Sequence, residues 1–365
     1  MGNQTVLIVA NDYTTIYNFR IELLQRLKSE KYNVILALPE DNRNEAFNLY
    51  AIVETIPLSR FGTNPFQDFM SFLAIKKLIK KHKPTFVFTY TAKPNIYGGL
   101  AARLCKVPYA CNVTGLGKNL QTKNLVGSIM LYLQRIAFQK AEVVFFQNKA
   151  NYNALKKYHV VDGKTEILPG SGVNLSTNNF EEYPDNDVTT FIVIARIRQD
   201  KGYDELFEVI RACAANNIPA KFKIVGWYED DAYKPVVEEV QKIGNIDIIG
   251  DTPHEKVHGL LKDSDCLIHP SHHEGMSNVI LEAAACGRPC IVSNIHGCIE
   301  GVEDNISGYH FEVKNAESLY NKILSFVQLP KDKKIQMGLK ARKLMEKKFD
   351  RAFVVDRYMS FLKQI

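Results

Sequence analysis

Short, uninterrupted apolar runs alternating with amphipathic helical stretches constrain this chain more than any other feature of its sequence. The first run is Val6-Leu7-Ile8-Val9-Ala10, followed by a helical pattern near Tyr17–Lys28. Val34-Ile35-Leu36-Ala37-Leu38 comes next, then a helix near Phe66–His82 and, after Pro84, the run Phe86-Val87-Phe88. Tyr109–Val113, a helix around Val126–Gln139 and Val143-Val144-Phe145-Phe146 continue the series. A strand that is apolar at every position is buried on both faces, and strands separated by helices pair in parallel. The class expected is therefore α/β.

The rhythm then restarts. Past a loop-like stretch, Leu168 to Asn179, strands are expected at Phe191–Ile194, Lys221–Val225, Ile246–Ile249, Cys266–His269 and Pro289–Val292, with helices between them. A length of 365 residues suits about two domains. Charge changes sign at the same place. Residues 1–170 carry 22 Lys+Arg against 11 Asp+Glu, and the remainder 24 against 29, so balances of +11 and −5 hide inside the net +6. Domains of 1–170 and 171–349 are expected. The basic half suits an anionic membrane, a phosphorylated ligand or nucleic acid; the bland alternative is an unevenly solvated surface. The last stretch, Ala316 to Ile365, breaks near Phe349-Asp350-Arg351. Beyond the break Val354, Tyr358, Phe361 and Leu362 fall at helical spacing and need a surface to pack on.

With 46% hydrophobic and 24% charged residues the chain has the composition of a well-cored globular protein. No stretch approaches the roughly 20 apolar residues that span a bilayer. The polar start, Met1-Gly2-Asn3-Gln4, runs straight into a strand, so no signal peptide is expected. Seven cysteines without disulfide-like spacing suit a reducing cytoplasm.

Two segments carry the chemistry. Pro270-Ser271-His272-His273-Glu274-Gly275-Met276-Ser277-Asn278 follows a buried strand and leads into a helix that contains Glu282. A helix start presents free backbone N–H groups and a partial positive charge, which together cradle phosphate. Gly275 allows close backbone approach, and Ser277 and Asn278 add hydrogen-bond donors. The bland alternative is a helix capped by Ser277 with Glu282 on a solvated face. In the second segment Arg196 and Lys201 flank a turn after the Phe191–Ile194 strand. Two cations there clamp a diphosphate and offset its charge on departure, unless they are simple surface cations. Ile224-Val225-Gly226 adds a strand-end glycine, weak by itself.

Arg196…Lys201-Gly202, Ile224-Val225-Gly226, Pro270-Ser271 and Glu274-x7-Glu282 together resemble the retaining family-4 glycosyltransferases. The resemblance implies the GT-B fold: two Rossmann-like domains facing across a cleft, with a C-terminal helix (about 350–365) packing back on the first. It assigns Arg196 and Lys201 to the donor diphosphate and counts them with Glu274 as the catalytic set. Gly226, Gly275, Met276, Ser277 and Asn278 would contact sugar and phosphate, Glu282 the ribose, and Asp251, Thr252 and Pro253 the base. Thr91-Ala92-Lys93-Pro94-Asn95 and Asn112-Val113-Thr114-Gly115-Leu116-Gly117 resemble segments of capsule and exopolysaccharide enzymes of bacteria, which often extend sugars on undecaprenyl diphosphate. Lys93, Thr114, Gly115, Gly117 and Asp12 are thus candidates for acceptor binding in the 1–170 domain. Asp12 serves equally well as a helix cap. The first strand–helix loop, Asn11 to Thr15, lacks the glycines many family members carry.

The function implied is retaining transfer of a hexose or N-acetylhexosamine from a UDP-sugar to a polyprenyl-diphosphate-linked saccharide. No cofactor and no metal ion are expected. Asp263-Ser264-Asp265 stands at the wrong end of its strand for a metal-bound ligand. The cluster Cys266, His269, His272, His273, Cys286, Cys290 and Cys298 lacks paired zinc spacing and reads as buried cysteines. Phe69–Lys83 joins apolar residues to a lysine cluster. It suits either a core helix or the anionic inner face of a membrane, at about 1 kcal/mol per basic residue near the surface. A cytoplasmic, peripherally bound protein is expected. The alternatives are a sugar-nucleotide epimerase of similar fold and a nucleic-acid binder. For the second no recognisable module appears, so no nucleic-acid partner is expected. A nicotinamide dehydrogenase is disfavoured because no Gly-x-Gly-x-x-Gly follows Val6–Ala10.

Overall fold

A computed structural model describes residues 4–59, 62, 64–116 and 125–364. The chain divides into two compact units, one formed by the residues up to Ser171 together with Phe353 onward, the other by Gly172–Ala352.

The first unit is built on seven strands: β1 (Thr5–Val9), β2 (Asn33–Leu38), β3 (Ile52–Thr55), β4 (Phe86–Tyr90), β5 (Tyr109–Val113), β6 (Val143–Phe146) and β7 (Thr165–Ile167). They lie in the order β3-β2-β1-β4-β5-β6-β7, every pair parallel. The β-branched and aromatic strands of the sheet centre are fully buried, as their continuous apolar character requires. Its helices are α1 (Tyr13–Tyr17), α2 (Ile21–Ser29), α3 (Pro65–His82), α4 (Ala92–Leu104), α5 (Leu125–Phe138) and α6 (Lys149–Lys157). Local chemistry sets the ends of α3. Asn64 accepts from the N–H of Phe66 at 3.1 Å, Pro65 occupies the first turn, and Lys83 turns left-handed ahead of Pro84.

One helix near Tyr17–Lys28 is a sequence expectation that the structure corrects. The chain breaks at Asn18–Arg20 into α1 and α2. The break buries Arg20 with its guanidinium 4.7 Å from the centre of the Tyr90 ring, a contact that a continuous helix pattern does not reveal.

The second unit holds β8 (Thr189–Ile194), β9 (Ala220–Val225), β10 (Ile246–Gly250), β11 (Cys266–His269), β12 (Cys290–Ser293) and β13 (Gly308–Phe311). They form a parallel sheet in the order β10-β9-β8-β11-β12-β13. Its helices are α7 (Tyr203–Ala215), α8 (Tyr233–Gln241), α9 (His254–Lys262), α10 (Asn278–Ala285), α11 (Ala316–Val327) and α12 (Lys331–Leu344), closed by a π turn over Met345–Phe349. The final helix, α13 (Arg351–Leu362), returns to the first unit. Tyr358 packs edge-on against Phe145 at 5.1 Å and donates to Asn112 Oδ1 at 2.7 Å, while Phe361 meets Phe86 at 5.9 Å. The apolar stripe beyond the break therefore completes the core of the first sheet. Among the described residues no helix is long and apolar enough to cross a membrane.

Strand order reverses between β1 and β4 in one sheet and between β8 and β11 in the other. In open parallel sheets the crevice outside the carboxyl ends of the strands at such a reversal is where ligands bind.

Candidate active site

A pocket of about 300 Å³ opens at the β8–β11 reversal. Ala195 and Arg196 leave β8, and Gly202 starts α7. His269 ends β11, and the loop through Glu274 leads to Ser277 and α10. Lys201 Nζ donates to Glu274 Oε1 at 2.6 Å, and His269 Nε2 lies 3.0 Å from the same oxygen and 3.2 Å from Ser277 Oγ. An ionised carboxylate only accepts, so the His269 proton sits on Nε2. Burial pushes the Glu274 carboxyl up. The hydrogen bond from His269 and the Lys201 charge outweigh it and hold the group well below the usual carboxylate range. Arg196 Nη1 is 2.6 Å from Glu229 Oε2. Both cations of the pocket thus rest on carboxylates.

Ser277 does not cap α10. Its hydroxyl faces His269 and makes no side-chain bond to the helix start. Among the described residues the start of α10 therefore has no side-chain cap from Ser277, which leaves first-turn N–H groups to face an anion. The helix begins at Asn278, so Gly275 lies ahead of it and outside the pocket lining. On the far side the ends of β9 and β10 contribute Val225, Gly226, Trp227, Asp251 and Thr252. Only glycine fits at 226, where φ is +151° and a Cβ would stand 1.9 Å from the Ala195 carbonyl oxygen.

Of the donor-site expectations, Arg196, Lys201, Gly226, Asp251, Thr252, Glu274, Met276, Ser277 and Asn278 come together around this pocket. Pro253 stands at the start of α9, outside the lining. Glu282 is buried one turn below Asn278 and also outside it, with Oε1 2.9 Å from His254 Nε2. The hydrogen bond to Glu282 raises the His254 pKa. No local sequence pattern marks His254, Glu229 or Trp227 as site residues. His269 belongs by sequence to the Cys/His cluster, but a histidine at a strand's carboxyl end just ahead of the loop is a usable signal. Among the described residues no group of three or more His, Cys, Asp or Glu side chains is placed to hold a metal. Asp265 is structural: it accepts from the Thr190 N–H and from Asn186, both at 2.8 Å.

The acceptor candidates lie at the carboxyl ends of β1, β4 and β5. Asp12 caps α1, accepting from the Thr15 N–H at 2.7 Å. Lys93 is 2.7 Å from Asp68, both side chains largely buried. Thr114 and Gly115 follow β5 directly, and Gly117 lies outside the described residues. Thr91, at the end of β4, takes φ +76° and ψ 171°, and its buried hydroxyl has no hydrogen-bond partner among the described residues. A β-branched residue in that region stores on the order of 1–3 kcal/mol of strain, a cost found chiefly at functional sites.

Two Rossmann-like domains with a cation-lined pocket at the strand reversal of the second have the architecture of the GT-B class. The pattern of the family described as "Glycosyl transferases group 1" matches residues 176–344, and that of "Glycosyl transferase 4-like" matches residues 5–148. The chain belongs to glycosyltransferase family 4. It is 25% identical over 96% of both chains to N,N'-diacetylbacillosaminyl-diphospho-undecaprenol alpha-1,3-N-acetylgalactosaminyltransferase of Campylobacter jejuni. It is 24% identical over 86% of both chains to the capsular polysaccharide biosynthesis glycosyltransferase CapM of Staphylococcus aureus. The fold also matches that of HepE of Anabaena, solved with UDP and glucose, with a TM-score of 0.79 at 16% identity over the whole of both chains.

Proposed function

We propose that this glycosyltransferase moves a hexose or N-acetylhexosamine from a UDP-sugar to a saccharide carried on polyprenyl diphosphate, with retention and without a metal ion. The observation that carries the reading is the convergence of Arg196, Lys201 and the uncapped start of α10 on one pocket. As the bond from sugar to diphosphate breaks, negative charge grows on the leaving group. Two fixed cations and a row of N–H groups stabilise that state more than the ground state. Glu274, kept ionised by Lys201 and His269, accepts hydrogen bonds from sugar hydroxyls, and the second oxygen of Glu282 takes the ribose. The undecaprenol-linked relative and the capsule relative support a lipid-borne acceptor in polysaccharide assembly. HepE of Anabaena, solved with UDP and glucose, supports UDP as the donor nucleotide. Asp12, Lys93, Thr114 and Gly115 are the acceptor-side residues of this reading.

Such an acceptor brings the enzyme to the inner face of a membrane. On α3 the side chains of Phe66, Phe69, Met70 and Leu73 are exposed, and Lys77, Lys80 and Lys81 follow on the same helix. Leu125, Ile129 and Tyr132 of α5 are exposed as well. Apolar groups that enter the headgroup layer beside lysines that meet anionic lipid make a peripheral anchor.

Calorimetric titration with UDP and NAD, with and without Mg²⁺, tests the donor site. UDP is expected to bind equally well with EDTA present and NAD not at all. Glu282→Ala, which removes the ribose acceptor, is expected to weaken UDP about tenfold, the loss of one charged hydrogen bond. A folded protein that ignores every nucleoside diphosphate would sink the proposal.

A further inference from the structure

Resting on the donor-site reading, we infer that Trp227 is the platform on which the donor's nucleobase stacks. The pocket has two unlike ends. Arg196, Lys201, His269 and Glu274 make the end at the β8–β11 reversal polar and charged, whereas Val225, Trp227 and Val257 line the other. Strand order sets the direction between them. Arg196 follows β8, Trp227 follows β9 and Asp251 follows β10, three neighbours in the sheet. Each step moves about 4.8 Å away from the reversal. A nucleoside diphosphate whose diphosphate lies between Arg196 and Lys201 therefore lays its nucleoside across the ends of β9 and β10.

Trp227 stands on that path. Its side chain is half exposed, at 50%. Its backbone is fixed. The Trp227 carbonyl accepts from the Ile197 N–H at 2.8 Å, and Tyr228 pairs with Ile197 in a parallel bridge. The preceding Gly226 donates to the Gly250 carbonyl at 2.9 Å. A large flat ring on a rigid mount, open towards a binding pocket, is preorganised to take another flat ring. Every base has a π face, so stacking contributes affinity with little choice between bases. Base choice then falls to Asp251 and Thr252, whose polar groups border the same end of the pocket.

The chain contains a single tryptophan, so its emission reports on this ring alone. UDP and UMP are expected to quench the emission of the unaltered protein. Inorganic diphosphate, which satisfies the cations but brings no base, is expected to leave it unchanged. By calorimetry, Trp227→Ala is expected to weaken UDP about tenfold, at the low end of base–aromatic stacking. It should not alter the affinity for inorganic diphosphate, and Trp227→Phe should restore most of the loss. UDP binding by calorimetry with unaltered emission, and equal UDP affinity in Trp227→Ala, would overturn the inference while leaving the donor site intact. Failure of the unaltered protein to bind UDP at all would remove both.

Discussion

Lys201→Ala is expected to lower the rate of sugar transfer by about 10²-fold or more, the usual loss when one preorganised charge donor is removed from a transition state. Lys201 starts its work before any donor arrives. Its ammonium and the Glu274 carboxylate, 14% and 15% exposed, are held 2.6 Å apart. In the alanine variant Glu274 keeps His269 at 3.0 Å, so the carboxylate is still hydrogen-bonded and the fold survives. The loss should therefore appear in kcat, with a smaller effect on thermal stability. Lys201→Arg retains charge but replaces a point donor by a planar fork, and only partial recovery is expected. Steady-state kinetics beside thermal melts separate the two effects. A variant that melts like the parent and transfers sugar at the parental rate would remove Lys201 from the catalytic set.

Gly202→Ala is expected to destabilise the second unit by about 2–4 kcal/mol. The adjacent turn can accept only glycine, since φ is +75° and a Cβ would stand 2.0 Å from the Pro270 carbonyl oxygen. A left-handed alanine costs roughly 1 kcal/mol, and forcing β11 away from the turn adds about 1–3 more. For a unit of this size that lowers the melting temperature by about 5–15 °C. Because Pro270 opens the loop that carries Glu274, donor affinity should fall with stability. Gly259 of α9 supplies the contrast, since a Cβ there meets nothing within 4 Å. Gly259→Ala should be neutral or stabilising, by up to about 1 kcal/mol, because alanine is the better helix former. Equal melting temperatures for the two alanine variants would refute the steric argument.

The sequence made the centre of both sheets legible because a strand buried on two faces writes itself as a continuous apolar run. Of the four edge strands only β10, Ile246–Gly250, shows in the same way. Ile52–Thr55, Thr165–Ile167 and Gly308–Phe311 are three or four residues long with polar members, and neither period nor composition separates them from loop. The spacing Glu274-x7-Glu282 and the cations after β8 fixed where the pocket lies, because short loops at strand ends keep sequence neighbours close in space. Partners distant in sequence stayed hidden. Glu229 reaches Arg196, and His254 reaches Glu282, through tertiary packing that no local pattern encodes. The capping alternative for Ser277 fails for a related reason: serine ahead of a helix usually caps it, but here its hydroxyl pairs with a buried histidine.

Incubating the purified protein with UDP-hexoses and UDP-N-acetylhexosamines, EDTA, and an undecaprenyl-diphosphate-linked saccharide tests the proposed function most directly. Mass spectrometry and NMR of the product read both mass and anomeric configuration. One added hexosyl or N-acetylhexosaminyl unit, with the anomeric configuration of the donor, is the expected result. An epimerised donor with no extended acceptor, or an inverted linkage, would contradict it.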